Sequence, residues 1–171
     1  MIPAIKTLPN KKLIGKRLTM SLINDKTPEL WRIFMPRRKE IKNSLTSDLF
    51  CLQMYNQSFD GNQFNPDMLF GKWAAVEVLN FDMIPEDMET YTLTGGLYAV
   101  FIHKGAANTG AETFNYIFST WLPASEYVLD NRPHFEIWEK NIKTTIRTRK
   151  KKFGFPLNSN YRLYYLQFKI F

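Results

Sequence analysis

The sequence predicts an α+β domain in which a β-α-β-β unit is used twice. Two observations carry this. The order strand, helix, strand, strand occurs once in each half. The halves also match by position: Phe34-Met35-Pro36 pairs with Trp121-Leu122-Pro123, and residues 48–56 pair with 133–141.

Residues 12–23 mix apolar and basic side chains in a strand-like way. Thr27-Pro28-Glu29 then opens a helix, with Thr27 as cap, Pro28 at the first helical position and Glu29 complementing the positive end of the dipole. Leu30, Ile33, Phe34 and Ile41 form its apolar face, and Pro36 should kink or end its first segment. Strands are expected over 48–56 and 72–79, joined by a long polar connection at 57–71. In the second half, residues 90–104 read as a strand interrupted at Gly95-Gly96, and 105–109 as a loop. Residues 110–122 read as an amphipathic helix ending near Pro123, and 133–141 as a strand.

The chain has 171 residues, 44% of them hydrophobic and 15% aromatic, which excludes a disordered protein. Such a length buries roughly 70% of the unfolded surface. The net charge of +7 points at first to nucleic acid or a membrane surface. Its distribution argues against both. Eight of the 23 cations and none of the 16 acids lie in residues 143–171, which leaves 15 cations against 16 acids, a net −1, in the first 142. A near-neutral body is a poor DNA binder. The expected organisation is therefore one domain over 1–142, with halves of about 1–82 and 83–142, and an atypical basic tail over 143–171.

The tail has two readings. It is a native basic extension, or it arises from a frameshift. Shifted by one base, the run from Arg149 to Leu157 can encode Glu-Glu-Glu-Ile-Trp-Ile-Pro-Ile, an ordinary edge strand. Residues 161–171 (YRLYYLQFKIF) could form a strand of their own.

One cysteine, Cys51, excludes an intrachain disulfide and a cysteine-based zinc site, and two histidines are too few for a histidine metal site. No cofactor is expected. No run of about 18 apolar residues or signal pattern is present, so a soluble cytoplasmic protein is the expectation. Cys51, between Phe50 and Leu52, reads as inert packing; His103 reads as a surface residue or a pocket donor, the surface favoured, and Glu77 as a second inward carboxylate or, the favoured reading, a solvent-facing one.

Glu136 is the most informative position. Alternation in a strand puts His134, Glu136 and Trp138 on one face and Phe135 and Ile137 on the other. A carboxylate beside a tryptophan suits a cation with a large apolar body, because the aromatic face adds roughly 0.5–2 kcal/mol of cation–π attraction. The competing reading is a scattered carboxylate on an exposed strand face. A buried, unpartnered carboxylate is costly, so an empty site should pair Glu136 with a tyrosine or protonate it.

Three motifs then bear on the family. Tyr98-Ala99-Val100-Phe101-Ile102-His103-Lys104-Gly105, Trp121-Leu122-Pro123-Ala124-Ser125-Glu126-Tyr127 and Pro133-His134-Phe135-Glu136-Ile137-Trp138 resemble the C-terminal half of a GyrI-like domain. This is the small-molecule-binding, effector-binding domain also attached to AraC-type and MerR-type transcription regulators. Tyr55-Asn56 and the strand Trp73–Val78 resemble its first half, and the resemblance covers roughly residues 1–140. It implies two β-α-β-β modules related by a pseudo-twofold axis, an antiparallel sheet, and a ligand cleft between the halves. It also implies that Glu136 lies in that cleft among aromatic residues.

The leading expectation is a standalone module that binds hydrophobic, often cationic, small molecules, with a possible link to transcription regulation. Glu136 is the expected counter-charge, and Tyr98, Trp138, Trp73 and Tyr55 are the expected walls. Neither direct nucleic-acid binding nor membrane association is expected, and an oligomer is open. Two alternatives remain at this point: a hydrolase of strained electrophiles that uses the glutamate as general base, and a gyrase-inhibitor-like protein-binding role.

Overall fold

Two short links decide how the sheet closes. The computed structural model describes residues 1–55, 65–105, 110–138 and 149–158. Its strands are β1 (Ala4–Leu8), β2 (Lys11–Met20), β3 (Leu49–Tyr55), β4 (Phe70–Val78), β5 (Glu89–Leu93), β6 (Gly96–Gly105), β7 (Val128–Leu129), β8 (His134–Trp138) and β9 (Arg149–Asn158). They are arranged β1-β6-β9-β8-β3-β4-β2-β5, every pair antiparallel, with β7 beside β9. Consecutive strands β1 and β2 stand in opposite halves of this order, as do β5 and β6. From Leu8 to Lys11 the chain reaches at most about 11 Å. The sheet must therefore curl until its far ends meet.

The order is palindromic. β3 and β8 are the central pair, flanked by β4 and β9, then β2 and β6, then β5 and β1. This is the expected pseudo-twofold relation. The match of 48–56 to 133–141 makes Cys51 the counterpart of Glu136, and the two are direct cross-strand partners, so the axis passes through them. Gln53 lies opposite Lys72 and Trp138 opposite Lys151. The same axis therefore relates Lys72 to Lys151.

Three apolar clusters follow from the curl and from strand alternation. Inside it, Leu13, Phe50, Leu52, Trp73, Leu93, Tyr98, Val100 and Phe135 form one core. On the outer face, helix α1 (Thr27–Arg37) buries Leu30 and Phe34 over Ile14, Met20, Phe70, Ala74 and Val76. Helix α2 (Gly110–Tyr116) and the turns after it cover Ala99, Phe101, Phe153, Phe155 and Leu157.

Local chemistry departs from expectation in a few places. Thr27 is the first helical residue of α1 and not its cap: the N-cap is Lys26, which makes no side-chain capping bond, and Asp25 before it accepts the Thr27 N–H at 2.9 Å and the Thr27 hydroxyl in a local turn. Pro36 lies in the last turn of α1, and a 3-10 turn over Arg38–Glu40 follows. The second helix is not one continuous element: α2 widens into a π-turn over Ile117–Trp121 before a short α3 (Leu122–Ala124). Pro123 cannot donate to the carbonyl four residues back, and its ring crowds that carbonyl. The strand over 90–104 divides at Gly95-Gly96 as expected; Gly96 has φ 125°, a conformation that favours glycine. β1 was not anticipated.

Residues 149–158 are an interior strand. β9 pairs with β6 on one side and β8 on the other. Phe153, Phe155 and Leu157 are 1–3% exposed. Gly154 lets the Phe135 ring cross its backbone, since a Cβ there would fall 2.2 Å from that ring. This stretch of the basic tail fills the place of the second module's last strand. The expected strand over 161–171, the expected loop over 105–109 apart from Gly105 (the end of β6) and residues 57–64 of the expected connection over 57–71 lie outside the described residues. Among the described residues, no helix is long and apolar enough to cross a membrane.

Candidate functional site

The helices leave a strip of the outer face between them, floored by β3 and β8. Cross-strand register places Leu49, Cys51 and Gln53 beside Trp138, Glu136 and His134. Trp31 of α1 stacks on Trp138, with ring centroids 4.9 Å apart. Phe114 of α2 stands on the other side, 5.0 Å from Phe153 and 5.6 Å from Phe155. A shallow hollow that encloses only about 10 Å³ and is partly open to solvent is lined by Cys51, Gln53, Lys72, Phe114, His134 and Glu136, among others. A second, of about 20 Å³, shares Gln53 and His134 with it and extends past Tyr55 to Arg132.

Glu136 accepts hydrogen bonds from Trp138 Nε1 at 3.3 Å and from Lys151 Nζ at 3.5 Å. The Lys151 ammonium also lies 4.6 Å from the centroid of the Trp138 ring. The side chains of Lys151 and Glu136 are 9% and 19% exposed, so the pair is largely withdrawn from water. The expected tyrosine partner is thus replaced by an indole and an ammonium. Among polar neighbours, Gln53 Nε2 donates to the Tyr55 hydroxyl at 2.7 Å. Burial pushes the Tyr55 phenol up and pushes the His134 imidazole down to about 4, so His134 is neutral near pH 7. The Cys51 thiol is pushed up to about 12, first by burial and then by the neighbouring Glu136 charge. This accords with inert packing.

Three of the five expected site residues come together. Glu136, Trp138 and Tyr55 share the outer face; Tyr55 lies 5.3 Å from the Phe70 ring and 5.8 Å from the His134 ring. Tyr98 and Trp73 are not brought to the cleft. They have the opposite strand parity and pack inside the curl, 0% and 3% exposed. There the Tyr98 hydroxyl donates to the Thr94 carbonyl at 2.9 Å, and the Arg132 guanidinium covers its ring at 4.7 Å. Two surface expectations also change. His103 is 5% exposed, with Nδ1 2.8 Å from Thr113 Oγ1. Glu77 forms a half-buried ion pair with Lys11 at 2.8 Å.

Sequence reasoning missed Lys151, Lys72 and Phe114. The signal for Lys151 was present: Phe153, Phe155 and Leu157 alternate two by two, and Lys151 continues their parity.

Known proteins resemble this chain in sequence or in fold. Over 114 residues the chain is 30% identical to the transcriptional regulator BrlR of Pseudomonas aeruginosa; the match takes in 65% of this chain and 38% of that regulator, so it spans well under half of it. The structure of the EcmrR C-terminal domain superposes with a TM-score of 0.69 at 16% identity, covering 91% of this chain and 96% of the other. That of SAV2435 bound to tetraphenylphosphonium gives 0.62 at 17% identity, covering 92% and 94%. These likenesses show the fold. The model of the GyrI-like small molecule binding domain matches residues 1–149, and the chain belongs to that family.

Proposed function

We propose that the cleft between α1 and α2 binds hydrophobic, cationic small molecules, with Glu136 as counter-charge and Trp138 and Tyr55 as aromatic walls. The observation that supports this best is the environment of Glu136. The carboxylate stands on a central strand, between aromatic side chains of two helices, and already neutralises a cation that lies over an indole face. A ligand cation gains the same two interactions. Trp31 and Phe114 add apolar surface from either side. The relative bound to tetraphenylphosphonium is consistent with this ligand class.

The enclosed space in the hollow is only about 10 Å³, room for about one water molecule, against the roughly 300–1,000 Å³ typical of ligand pockets. Binding therefore requires side chains to move, and Phe114 and Lys151 are the ones in place to do so. On this reading the chain acts in the cytoplasm as the effector-binding part of a regulatory system. Titration with a cationic rhodamine, followed by quenching of tryptophan fluorescence, tests it. Saturable quenching that weakens when Trp138 is replaced by leucine is expected. Quenching that is linear in dye and indifferent to Trp138 would refute it.

A further inference from the structure

The structure places a cation of its own in the candidate ligand site. Lys151 Nζ makes both contacts that the reading above assigns to a ligand: the Glu136 carboxylate at 3.5 Å and the Trp138 face at 4.6 Å. We propose that Lys151 is a resident counter-cation that occupies the site in the absence of ligand, and that a lipophilic cation binds by exchange with it. This rests on the small-molecule reading and deepens it, because it names the group that a ligand replaces.

Exchange solves a charge problem. Removing one partner from a largely buried ion pair leaves the other uncompensated. If a cation arrives as the lysine departs, Glu136 is neutralised before and after. The movement is confined to one side chain. The β9 backbone is bonded to β6 and to β8, so the strand stays while the flexible four-carbon stem of Lys151 swings.

Exchange also sets a specificity. The lysine ammonium is compact and strongly hydrated, and it regains its water on leaving. A bulky cation with its charge buried among aryl groups has little hydration to lose. The site should therefore select large, weakly hydrated cations and reject small ones, which compete no better than the lysine. The arrangement belongs to the second module alone. Lys72 is the pseudo-twofold counterpart of Lys151 and lines the hollow beside Glu136, but the counterpart of Glu136 in the first module is Cys51, which offers no carboxylate.

Two measurements with tetraphenylphosphonium test this. By calorimetry, Lys151→Met should bind at least about tenfold more tightly than the unaltered chain, and Lys151→Arg should stay weak. In the unaltered chain, reductive methylation read by mass spectrometry should be slow at Lys151 and faster when the ligand saturates, the reverse of ordinary ligand protection. The second measurement does not depend on a variant folding. If the ligand binds but methylation of Lys151 is unchanged or slowed, or if a folded Lys151→Met binds no more tightly, the exchange is wrong. Loss of binding in Glu136→Gln would still uphold the cation site in that case. If neither the unaltered chain nor Lys151→Met binds the phosphonium, the exchange and the underlying reading both fall.

Discussion

Glu136 and Cys51 face each other across the central strand pair, and the pseudo-twofold axis of the domain passes between them. Two modules of one design therefore meet at a point where one supplies a carboxylate and the other a thiol. The thiol is buried and pushed up to about 12. The carboxylate is ion-paired and reaches solvent. Negative charge at the symmetric centre thus comes from a single side.

The state of Cys51 is open to a direct chemical check. An aromatic disulfide reagent added to native protein at pH 8 should react very slowly with its thiol, because the thiolate is the nucleophile and burial disfavours it. In denaturant the reaction should be complete within minutes. Rapid reaction of the native protein would contradict the packing described here.

The strand from the basic tail should be necessary for folding. Gly154→Ala drives a methyl group into the Phe135 ring and should cost about 1–3 kcal/mol. Phe153→Ala empties a site 1% exposed and should cost about 3–5 kcal/mol. Thermal and denaturant unfolding check both values. Unchanged stability in both variants would mean that residues 149–158 are not an interior strand.

Stability should fall in mild acid. The His134 imidazole is pushed from 6.5 to about 4 by burial, so between those values the unfolded chain binds the proton and the folded chain does not. The contribution is fully present above pH 6.5 and is lost as pH falls toward 4. It amounts to the order of 2 kcal/mol, allowing for the partial exposure of the residue. Urea unfolding of His134→Phe should be less sensitive over that interval than that of the unaltered chain.

Much of the fold was legible because both modules carry the same local signals. Thr27-Pro28-Glu29, the Gly95-Gly96 break, the apolar run of β3 and the alternation of β8 each identify an element without tertiary information. The parity of Glu136 and Trp138 was legible for the same reason. Tyr98 and Trp73 were not, since β4 and β6 are covered on both faces and their apolar runs do not say which face meets the cleft. Lys151 was hidden by composition. In a run of basic residues it reads as surplus charge unless it is placed in the alternation of Phe153, Phe155 and Leu157, and its register with Trp138 shows that it is enclosed.

The origin of that run remains a proposal about the gene. The shifted frame puts glutamate where Lys151 stands, which would set like charges side by side at Glu136. Codons over 149–157 that permit the shifted reading would support the frameshift, and codons that forbid it would leave a native tail. A frameshift would also make the resident lysine a later addition to an older cleft.

The central claim is that the Glu136 carboxylate selects positive ligands. Tetraphenylphosphonium and tetraphenylborate have nearly the same shape and opposite charge. Calorimetric titration of the unaltered chain and of Glu136→Gln with both ions separates charge from apolar contact. The unaltered chain should prefer the cation by at least about tenfold, and Glu136→Gln should lose that preference. Equal or tighter binding of the borate by the unaltered chain, or a cation preference that survives in Glu136→Gln, would contradict it.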